Sequence, residues 1–165
     1  MKVSLIAAVA EDNIIAKSSG GLPWAKQLPA DLSYFRGVTY GHSMIMGHTT
    51  YKEFAAPLPG RKHIVLTSKS LKSEPPFVAF VHSVDEALAE ATGEAEVFVI
   101  GGANVFEQFI DRADKLYITE VKHKFSDGKK FPKIDKSKWQ ESSRRDFSKD
   151  KTNKYDFSFV TYVRE

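Results

Sequence analysis

The sequence predicts an α/β fold organised around a largely parallel β-sheet. Short apolar runs alternate along the chain with segments of helical periodicity, as in consecutive strand–helix–strand units. Most of these runs are continuously apolar, which is typical of parallel strands covered on both faces. Two longer segments in the last third alternate with a period of two instead, and they predict longer strands that can pair in antiparallel fashion.

Five strands and four helices are predicted before that last third. The strands cover residues 3–10, 44–47, 63–68, 78–82 and 97–100, and the helices cover residues 30–40, 49–55, 84–91 and 103–112. Ser83 and Glu86 have the spacing of a capping box at the start of the third helix. Thr50 is a suitable N-cap for the second helix. The period-two segments cover residues 115–125 and 154–165.

Length and composition suit one globular domain, residues 1–165. The chain has no cysteine, which excludes disulfides and thiolate metal ligands. The apolar run at residues 3–10 is too short to span a membrane and lacks the layout of a signal peptide, so we expect a cytoplasmic protein. No metal-ligand spacing links the five histidines, which we interpret as surface or cofactor-rim residues: His42, His48, His63, His82 and His123.

Positive charge is concentrated late in the chain. Residues 115–154 hold 13 lysines and arginines against 6 acidic residues. Such a segment can bind nucleic acid. Here turn residues separate the lysines and no helical stripe aligns them, which favours a solvated loop face.

Asp31 is the first candidate for chemistry. It falls in the first turn of a predicted helix, where a carboxylate can simply complement the helix dipole. The i, i+3, i+4, i+7 spacing of Asp31, Tyr34, Phe35 and Val38 nevertheless places it beside an apolar face. Burial there would raise its pKa and favour a cationic or donor-rich ligand. Spacing alone leaves both interpretations open.

Three strand ends carry residues suited to phosphate groups. Gly101-Gly102 and Gly47 each precede a predicted helix, where backbone amides favour an anion. Thr67, Ser68 and Lys69 follow a third strand. Each feature is equally typical of an ordinary turn, but the two glycine turns together could hold the two phosphates of one dinucleotide.

Arg61 follows a Pro-Gly turn directly before a strand. An arginine in that position can form a bidentate pair with a carboxylate. Solvation at the surface is the alternative.

Taken in order, these segments closely resemble bacterial dihydrofolate reductase over nearly the whole chain. They are SLIAAVAEDNIIA, GLPWAKQLPADLSYF, MIMGHTTYKEF, PLPGRKHIVLTS, VFVIGGANVFEQF and KLYITEV. The most diagnostic are LPW followed by LPADL, and PLPGR. The resemblance implies a mostly parallel central sheet of about eight strands with an antiparallel C-terminal strand, flanked by about four helices.

The resemblance also implies the substrate site. Asp31 matches the active-site carboxylate that hydrogen-bonds the 2-amino group and N3 of the pterin, and Thr119 matches the hydroxyl beside it. Arg61 matches the arginine that binds the glutamate tail. Leu22 matches the mobile loop and Trp24 the tryptophan that orders a water near the pterin. The remaining matches surround the pterin and the aminobenzoyl ring: Ile6, Ala8, Leu32, Phe35, Phe54, Leu58 and Ile100.

The implied cofactor is NADPH. Nicotinamide contacts match Ala8, Ile15, Ala16 and Ile100. Two turns match the family's pyrophosphate-binding turns. The first comprises Gly47, His48, Thr49 and Thr50. The second, which has a cis Gly-Gly bond in the family, comprises Gly101, Gly102, Ala103, Asn104, Val105 and Phe106. The adenosine end matches Leu66, Thr67, Ser68, Lys69 and His82.

The implied reaction reduces 7,8-dihydrofolate to tetrahydrofolate for one-carbon metabolism. Hydride passes from the nicotinamide C4 to the pterin C6, and N5 takes a proton from water while Asp31 holds the ring. The resemblance further implies a monomer with a small-molecule substrate, antifolate inhibitors and no metal, nucleic acid or membrane partner.

Several positions depart from the family pattern. Many bacterial members carry arginine where this chain has His48 and Asn104, and those arginines help to hold the 2′-phosphate of NADPH. We expect Ser68, Lys69 and protonated His48 to bind it here. Phe106 replaces a common tyrosine, and the segment at residues 25–27 is longer than in many relatives.

Two other functions remain open at this point. A pyrimidine reductase of riboflavin synthesis shares the fold but would not need Asp31 and Arg61 together. A catalytically inactive dinucleotide- or nucleic-acid-binding protein would be expected to lose Asp31 or the Gly101-Gly102 turn, and this chain has both.

Overall fold

The computed structural model describes residues 1–72 and 76–165. The strands are β1 (Lys2–Ala10), β2 (Ile14–Ala16), β3 (Met44–Gly47), β4 (His63–Leu66), β5 (Val78–Val81), β6 (Glu96–Gly101), β7 (Lys115–Val121), β8 (Lys129–Lys130), β9 (Trp139–Phe147) and β10 (Phe157–Arg164). The helices are α1 (Pro29–Thr39), α2 (His48–Glu53), α3 (Val84–Glu90) and α4 (Ala103–Phe109), and a 3₁₀ turn over Ile110–Arg112 follows α4.

Eight strands form one sheet in the order β5-β4-β3-β6-β1-β7-β10-β9. Every pairing from β5 to β7 is parallel, whereas β10 pairs antiparallel with both β7 and β9. The predicted α/β architecture and the antiparallel C-terminal strand are therefore confirmed. Although its period-two pattern allowed antiparallel pairing on both sides, β7 is parallel to β1 and antiparallel only to β10.

Three strands were absent from the sequence prediction. β2 and β8 form a separate two-stranded pair and are only 3 and 2 residues long, too short for a periodic signal. β9 lies at the edge of the sheet, and its side chains after Trp139 are all exposed. A strand with no buried face gives no apolar alternation, so its polar sequence resembles a loop.

The differences from the predicted helix boundaries include the start of α2 and the end of α4, whereas α4 begins at Ala103 as predicted. α2 begins at His48 with Gly47 as its N-cap, so Thr50 lies inside the helix and is not its cap. The fourth helix ends at Phe109 and tightens into the 3₁₀ turn. At α3, the Ser83 hydroxyl accepts from the Glu86 backbone N–H as expected, but the Glu86 carboxylate accepts from His82 N, one residue before the cap.

The central parallel strands form the core. Leu5, Ile45, Ile64 and Val99 lie on four different strands and are fully buried. Their continuously apolar sequences agree with burial on both sheet faces. Because β3, β4 and β6 run in the same direction and are hydrogen-bonded neighbours, their carboxyl ends meet at one edge, with Gly47 opposite Leu66 and Met46 opposite Gly101. This edge is where open α/β sheets bind ligands.

Gly128 is required by the turn that leads into β8. Its φ is +147°, and a Cβ there would collide with the Ala16 carbonyl oxygen on β2. We expect Gly128→Ala to lower the free energy of unfolding by about 2–3 kcal/mol, from the backbone conformation and the collision together. Thermal unfolding measures this loss. Gly93→Ala is the matched control, because Gly93 has φ +99° and open space at its Cβ; an equal loss in both variants would contradict the collision.

Candidate active site

One cavity of about 840 Å³ follows the carboxyl edge of the sheet. Its volume lies within the usual range of small-molecule sites. All of the sequence-predicted cofactor residues line it: Ala8, Ile15, Ala16, Gly47, His48, Thr49, Thr50, Leu66, Thr67, Ser68, Lys69, His82, Ile100, Gly101, Gly102, Ala103, Asn104, Val105 and Phe106.

The two glycine turns approach each other across the centre of this cavity. A Cβ on Gly47 would lie 3.1 Å from Val105 Cγ2, and one on Gly102 would lie 3.6 Å from Thr50 Oγ1. The Gly101–Gly102 peptide bond is cis. Because α2 and α4 begin directly after Gly47 and Gly102, their free backbone amides can meet an anion between the turns. These residues form a cradle that fits a pyrophosphate.

Hydrogen bonds order the end of the cavity that is formed by Thr67, Lys69 and His82. Thr67 Oγ1 accepts from the Lys69 backbone N–H at 3.1 Å, and His82 Nδ1 lies 2.8 Å from the Thr67 carbonyl oxygen. At His48, partial burial and the nearby Lys52 and Lys69 lower the pKa. A lowered pKa disfavours the protonated form of His48 in the ligand-free protein. Lys52 and Lys69 add positive charge to this end of the cavity.

Asp31 lies on the first turn of α1, directly after Pro29 and Ala30. Burial raises the pKa of its carboxyl above the usual range, and a hydrogen bond with the Thr119 side chain lowers it by a smaller effect. Thr119 is buried on β7 and stands opposite Ala8 of β1. The structure thus favours the second interpretation of Asp31: the residue is half-buried, and burial disfavours its charged form, so it does not simply complement the helix dipole in water.

Four of the predicted substrate-site residues share one apolar cluster. Phe35, Phe54, Leu58 and Ile100 all pack against one buried cluster formed by Met44, Met46, Val65 and Val78. Ile6 is buried on β1, whereas Leu32 on α1 is 48% exposed. An exposed leucine beside partly buried aromatic rings is available to contact an apolar part of a ligand.

Leu22 and Trp24 lie in the segment between β2 and α1. Leu22 is 43% exposed and lines the cavity, beside Gly20 and Gly21, both of which have positive φ. Trp24 is buried, and its ring packs 5.5 Å from that of Phe125. Its Nε1 has no hydrogen-bond partner among the residues the structure describes. A buried indole donor of this kind suits an ordered water or a ligand acceptor.

Arg61 is buried, not solvated at the surface. Only 8% of it is exposed, and its guanidinium lies 5.4 Å from the centre of the Tyr40 ring. Nε and Nη1 are buried without a hydrogen-bond partner in the described part of the chain. A charged group in this state requires an anion. Arg61 also lines a second cavity of about 720 Å³, together with Leu58 and Phe77.

His63 was expected at the surface or the cofactor rim, and that expectation is wrong. The side chain is fully buried; its Nε2 accepts from the Leu58 backbone N–H at 3.0 Å, and its Nδ1 lies 3.0 Å from the Arg61 carbonyl oxygen. This pairing requires a neutral ring with the proton on Nδ1. His63 therefore orders the loop that presents Leu58 and Arg61.

Several cavity residues were not singled out from the sequence. They are Ala7, Gly20, Gly21, Lys52, Glu53, Gln108 and Lys129. Lys52 was detectable, because it lies four residues after His48 and therefore on the same helical face. Lys129 reaches the cavity only through the β2–β8 pair, which the sequence did not reveal.

The basic late segment has the character of a solvated surface. Arg144 on β9 donates to Glu120 at 2.8 Å and to Glu141 at 2.8 Å, and Lys122 also contacts Glu120. These acidic partners hold two of the segment's positive charges, those of Lys122 and Arg144, in local pairs. Across residues 1–72 and 76–165, no three metal-binding side chains cluster, and no helix is long and apolar enough to cross a membrane.

The raised pKa of Asp31 predicts a stability cost. Between the pKa values of the unfolded and folded states, the folded protein binds more protons, so the free energy of unfolding falls as pH rises through that interval. We expect ligand-free Asp31→Asn to melt a few degrees higher at pH 7, since about 1 kcal/mol shifts Tm by about 2–4 °C at this size. The gain should shrink towards pH 4. A lower Tm at pH 7, measured by circular dichroism, would contradict it.

Known proteins resemble this chain over almost its whole length. A family model described as dihydrofolate reductase matches residues 2–164. The dihydrofolate reductase of Bacillus subtilis (strain 168) is 39% identical over 163 residues, covering 99% of this chain and 95% of that protein. Dihydrofolate reductase type 3 of Salmonella typhimurium is 37% identical over 165 residues, covering 100% and 99%.

A solved structure agrees in fold as well as sequence. It is that of dihydrofolate reductase from Enterococcus faecalis complexed with NADP(H) and RAB-propyl. It matches with a TM-score of 0.88 and 34% identity, and the match covers 99% of this chain and 96% of that one.

Proposed function

Because the chain belongs to the dihydrofolate reductase family, we propose the residue roles through which it reduces 7,8-dihydrofolate to tetrahydrofolate with NADPH. The activity is that of an oxidoreductase, with hydride transfer to pterin C6 and protonation of N5. One observation carries the proposal: a desolvated carboxylate, Asp31, borders the same sheet edge as a cavity suited to a dinucleotide.

The cavity residues bind and orient the cofactor. Bound NADPH supplies the hydride. The amides at the starts of α2 and α4 hold its pyrophosphate, with Gly47 and Gly102 allowing close approach. Ala8, Ile15 and Ala16 pack around the nicotinamide, and the turn at Thr67, Ser68 and Lys69 takes the adenosine end.

Asp31 holds the substrate ring. Its carboxylate accepts hydrogen bonds from the 2-amino group and N3 of the pterin, and the Thr119 hydroxyl supports it. In this apolar setting a negative charge strongly favours positive charge developing on the ring. Asp31 thereby raises the basicity of N5 without transferring the proton itself.

Leu22 and Trp24 control water at the reacting atoms. The segment at Leu22 closes over the cavity, excludes bulk solvent and aligns the two rings. The free Nε1 of Trp24 holds the ordered water that donates to N5.

The rest of the substrate lies along α1 and the loop before β4. Phe35, Phe54 and Leu58 pack around the aminobenzoyl ring, with Leu32 covering it from α1. The buried guanidinium of Arg61 receives the glutamate carboxylate. These walls would equally receive antifolate inhibitors that imitate the pterin.

We also propose that the chain acts as a single-domain monomer in the cytoplasm, without nucleic acid, membrane or metal partners. The cofactor cavity is lined from several elements of a single chain, which supports a site complete in the monomer. Light scattering of the purified protein tests the monomer, and binding to random-sequence DNA at low salt tests the nucleic-acid alternative.

The reaction is tested by the loss of reduced-nicotinamide absorbance when dihydrofolate is added to the purified protein. We expect rapid oxidation of NADPH that depends on dihydrofolate. Folded protein that oxidises neither NADPH nor NADH would favour a catalytically inactive relative. The comparisons favour neither that alternative nor a pyrimidine reductase.

A further inference from the structure

Asn153 joins the turn between β9 and β10 to the start of α1. The residue is buried, with 6% exposed, and its Oδ1 accepts from the Ala30 backbone N–H at 3.0 Å across 123 positions of the sequence. Leu28, at the N-cap position of α1, makes no side-chain cap hydrogen bond. Asn153 therefore supplies from a distant segment the acceptor that a polar N-cap residue normally provides. The adjacent Lys154 N–H donates to the Gln27 carbonyl oxygen at 2.8 Å, which ties the same two segments together again.

Asp150 fixes the orientation of the Asn153 amide. Its carboxylate accepts from the Asn153 backbone N–H at 2.7 Å and from Asn153 Nδ2 at 3.2 Å. Because Nδ2 is the donor end of the amide, the acceptor Oδ1 is the atom that faces Ala30. Backbone hydrogen bonds from Asn153 and Thr152 lower the pKa of Asp150 to about 2, so its carboxylate stays charged and holds this arrangement at neutral pH.

The capped amide lies beside the carboxylate to which the reaction is assigned. Asp31 directly follows Ala30 in the first turn of α1 and is half-buried. An aspartate in that position can turn back and accept from free backbone amides of its own helix. Burial strengthens this tendency, since a partly desolvated carboxylate requires donors. Asn153 occupies the Ala30 amide as an uncharged acceptor, which leaves the Asp31 carboxyl to Thr119 and to a ligand.

We propose that Asn153 is a positioning residue for the reduction of dihydrofolate: by capping α1 from the β9–β10 turn, it keeps the Asp31 carboxylate turned towards the substrate and away from its own helix. The inference rests on the proposed function, which assigns the pterin contact to Asp31. Asn153 does not line the cofactor cavity, so it acts through α1 and not by touching NADPH.

The first test follows Asp31 itself, without turnover. In Asn153→Ala the freed Ala30 amide can donate to the Asp31 carboxylate, and a hydrogen bond to the charged form favours ionisation. We therefore expect the pKa of Asp31 to fall from its raised value, as measured by carbon-13 NMR of the carboxyl groups in the ligand-free protein. The other groups that interact with Asp31, Thr119 on β7 and Tyr34 on α1, are unchanged in this variant.

Steady-state kinetics provide the second test. We expect Asn153→Ala to lower kcat/KM for dihydrofolate about tenfold, because a small misplacement of a catalytic group is enough for such a loss, and to leave NADPH affinity unchanged. Asp150→Ala, at an exposed position, releases the amide without removing it and should shift both readouts less in the same direction. Thr152→Ala is the matched control: it removes a hydrogen bond to Asp150 in the same turn but leaves the cap, so both readouts should match the wild type.

Three results would overturn the proposal. An unchanged Asp31 pKa in folded Asn153→Ala would show that the cap does not direct the carboxylate. An equal loss of kcat/KM in Thr152→Ala would assign the effect to the turn as a whole, and an equal loss of NADPH affinity in Asn153→Ala would assign it to general loosening of the site. A wild-type protein that does not reduce dihydrofolate would instead refute the proposed function, and the NMR titration would still decide whether Asn153 directs Asp31.

Discussion

Asp31→Asn is expected to reduce turnover at pH 7 by at least about 100-fold while the protein stays folded. The asparagine has the same shape but no negative charge, and it presents a donor where the carboxylate offers only acceptors. The variant therefore loses both the hydrogen bonds to the pterin and the electrostatic support for protonation of N5. Steady-state kinetics with NADPH and dihydrofolate measure the loss.

The pH profile separates the two effects of this substitution. If Asp31 acts by raising the basicity of N5, added acid should partly replace it, and the variant should recover activity as pH falls. NADPH affinity should be unchanged, since Asp31 does not line the cofactor cavity. Asp111→Asn, on the exposed 3₁₀ turn, serves as the control. Rates like those of the wild type at every pH would exclude Asp31 from the reaction.

Arg61→Leu is expected to raise the KM for dihydrofolate about 100-fold, because a lost bidentate pair costs about 3 kcal/mol. The effect on kcat should be small, since the glutamate tail is remote from hydride transfer. Folding should survive, because the substitution removes a buried guanidinium, two nitrogens of which have no hydrogen-bond partner in residues 1–72 and 76–165. Steady-state kinetics give both constants, and a truncated substrate without the glutamate should not distinguish the variant from the wild type.

The neighbouring Lys62 provides the matched control for Arg61. Its ammonium group forms a surface ion pair with Glu90 at 2.6 Å. Lys62→Leu should therefore leave the KM for dihydrofolate close to that of the wild type. A fall in kcat at unchanged KM in Arg61→Leu would show that Arg61 acts in the chemical step and not in binding.

The fold was predictable wherever burial leaves a pattern in the sequence. β3 and β6 have both faces covered, and their apolar runs predicted them to within one residue at each end. β9 could not be found, because an exposed edge strand is specified by its pairing with β10 rather than by its own residues. The start of α2 was misplaced because Gly47, not a threonine, is the cap.

The sequence predicted which residues form the candidate site better than it predicted their burial and hydrogen bonding. The resemblance identified the cofactor residues, and all of them line the cavity. Only the structure indicates that burial disfavours the charged form of Asp31, and that two buried nitrogens of Arg61 have no hydrogen-bond partner among the described residues. The burial and hydrogen bonding of these residues depend on neighbours that are distant in sequence, such as Thr119 for Asp31. The buried His63 was missed for the same reason, since its partners Leu58 and Arg61 are brought to it by the fold of the loop.

The cavity also has a consequence for the lifetime of the protein. Its walls come from the ends of β1, β3, β4 and β6 and from β2, so a bound cofactor joins segments that span the first two thirds of the chain. Unfolding must release it, which adds about 2.7 kcal/mol to the free energy of unfolding when free cofactor is 100 times its Kd. Proteases act on opened chains. A cell with an ample pool of NADPH therefore degrades this protein more slowly than one whose pool is depleted.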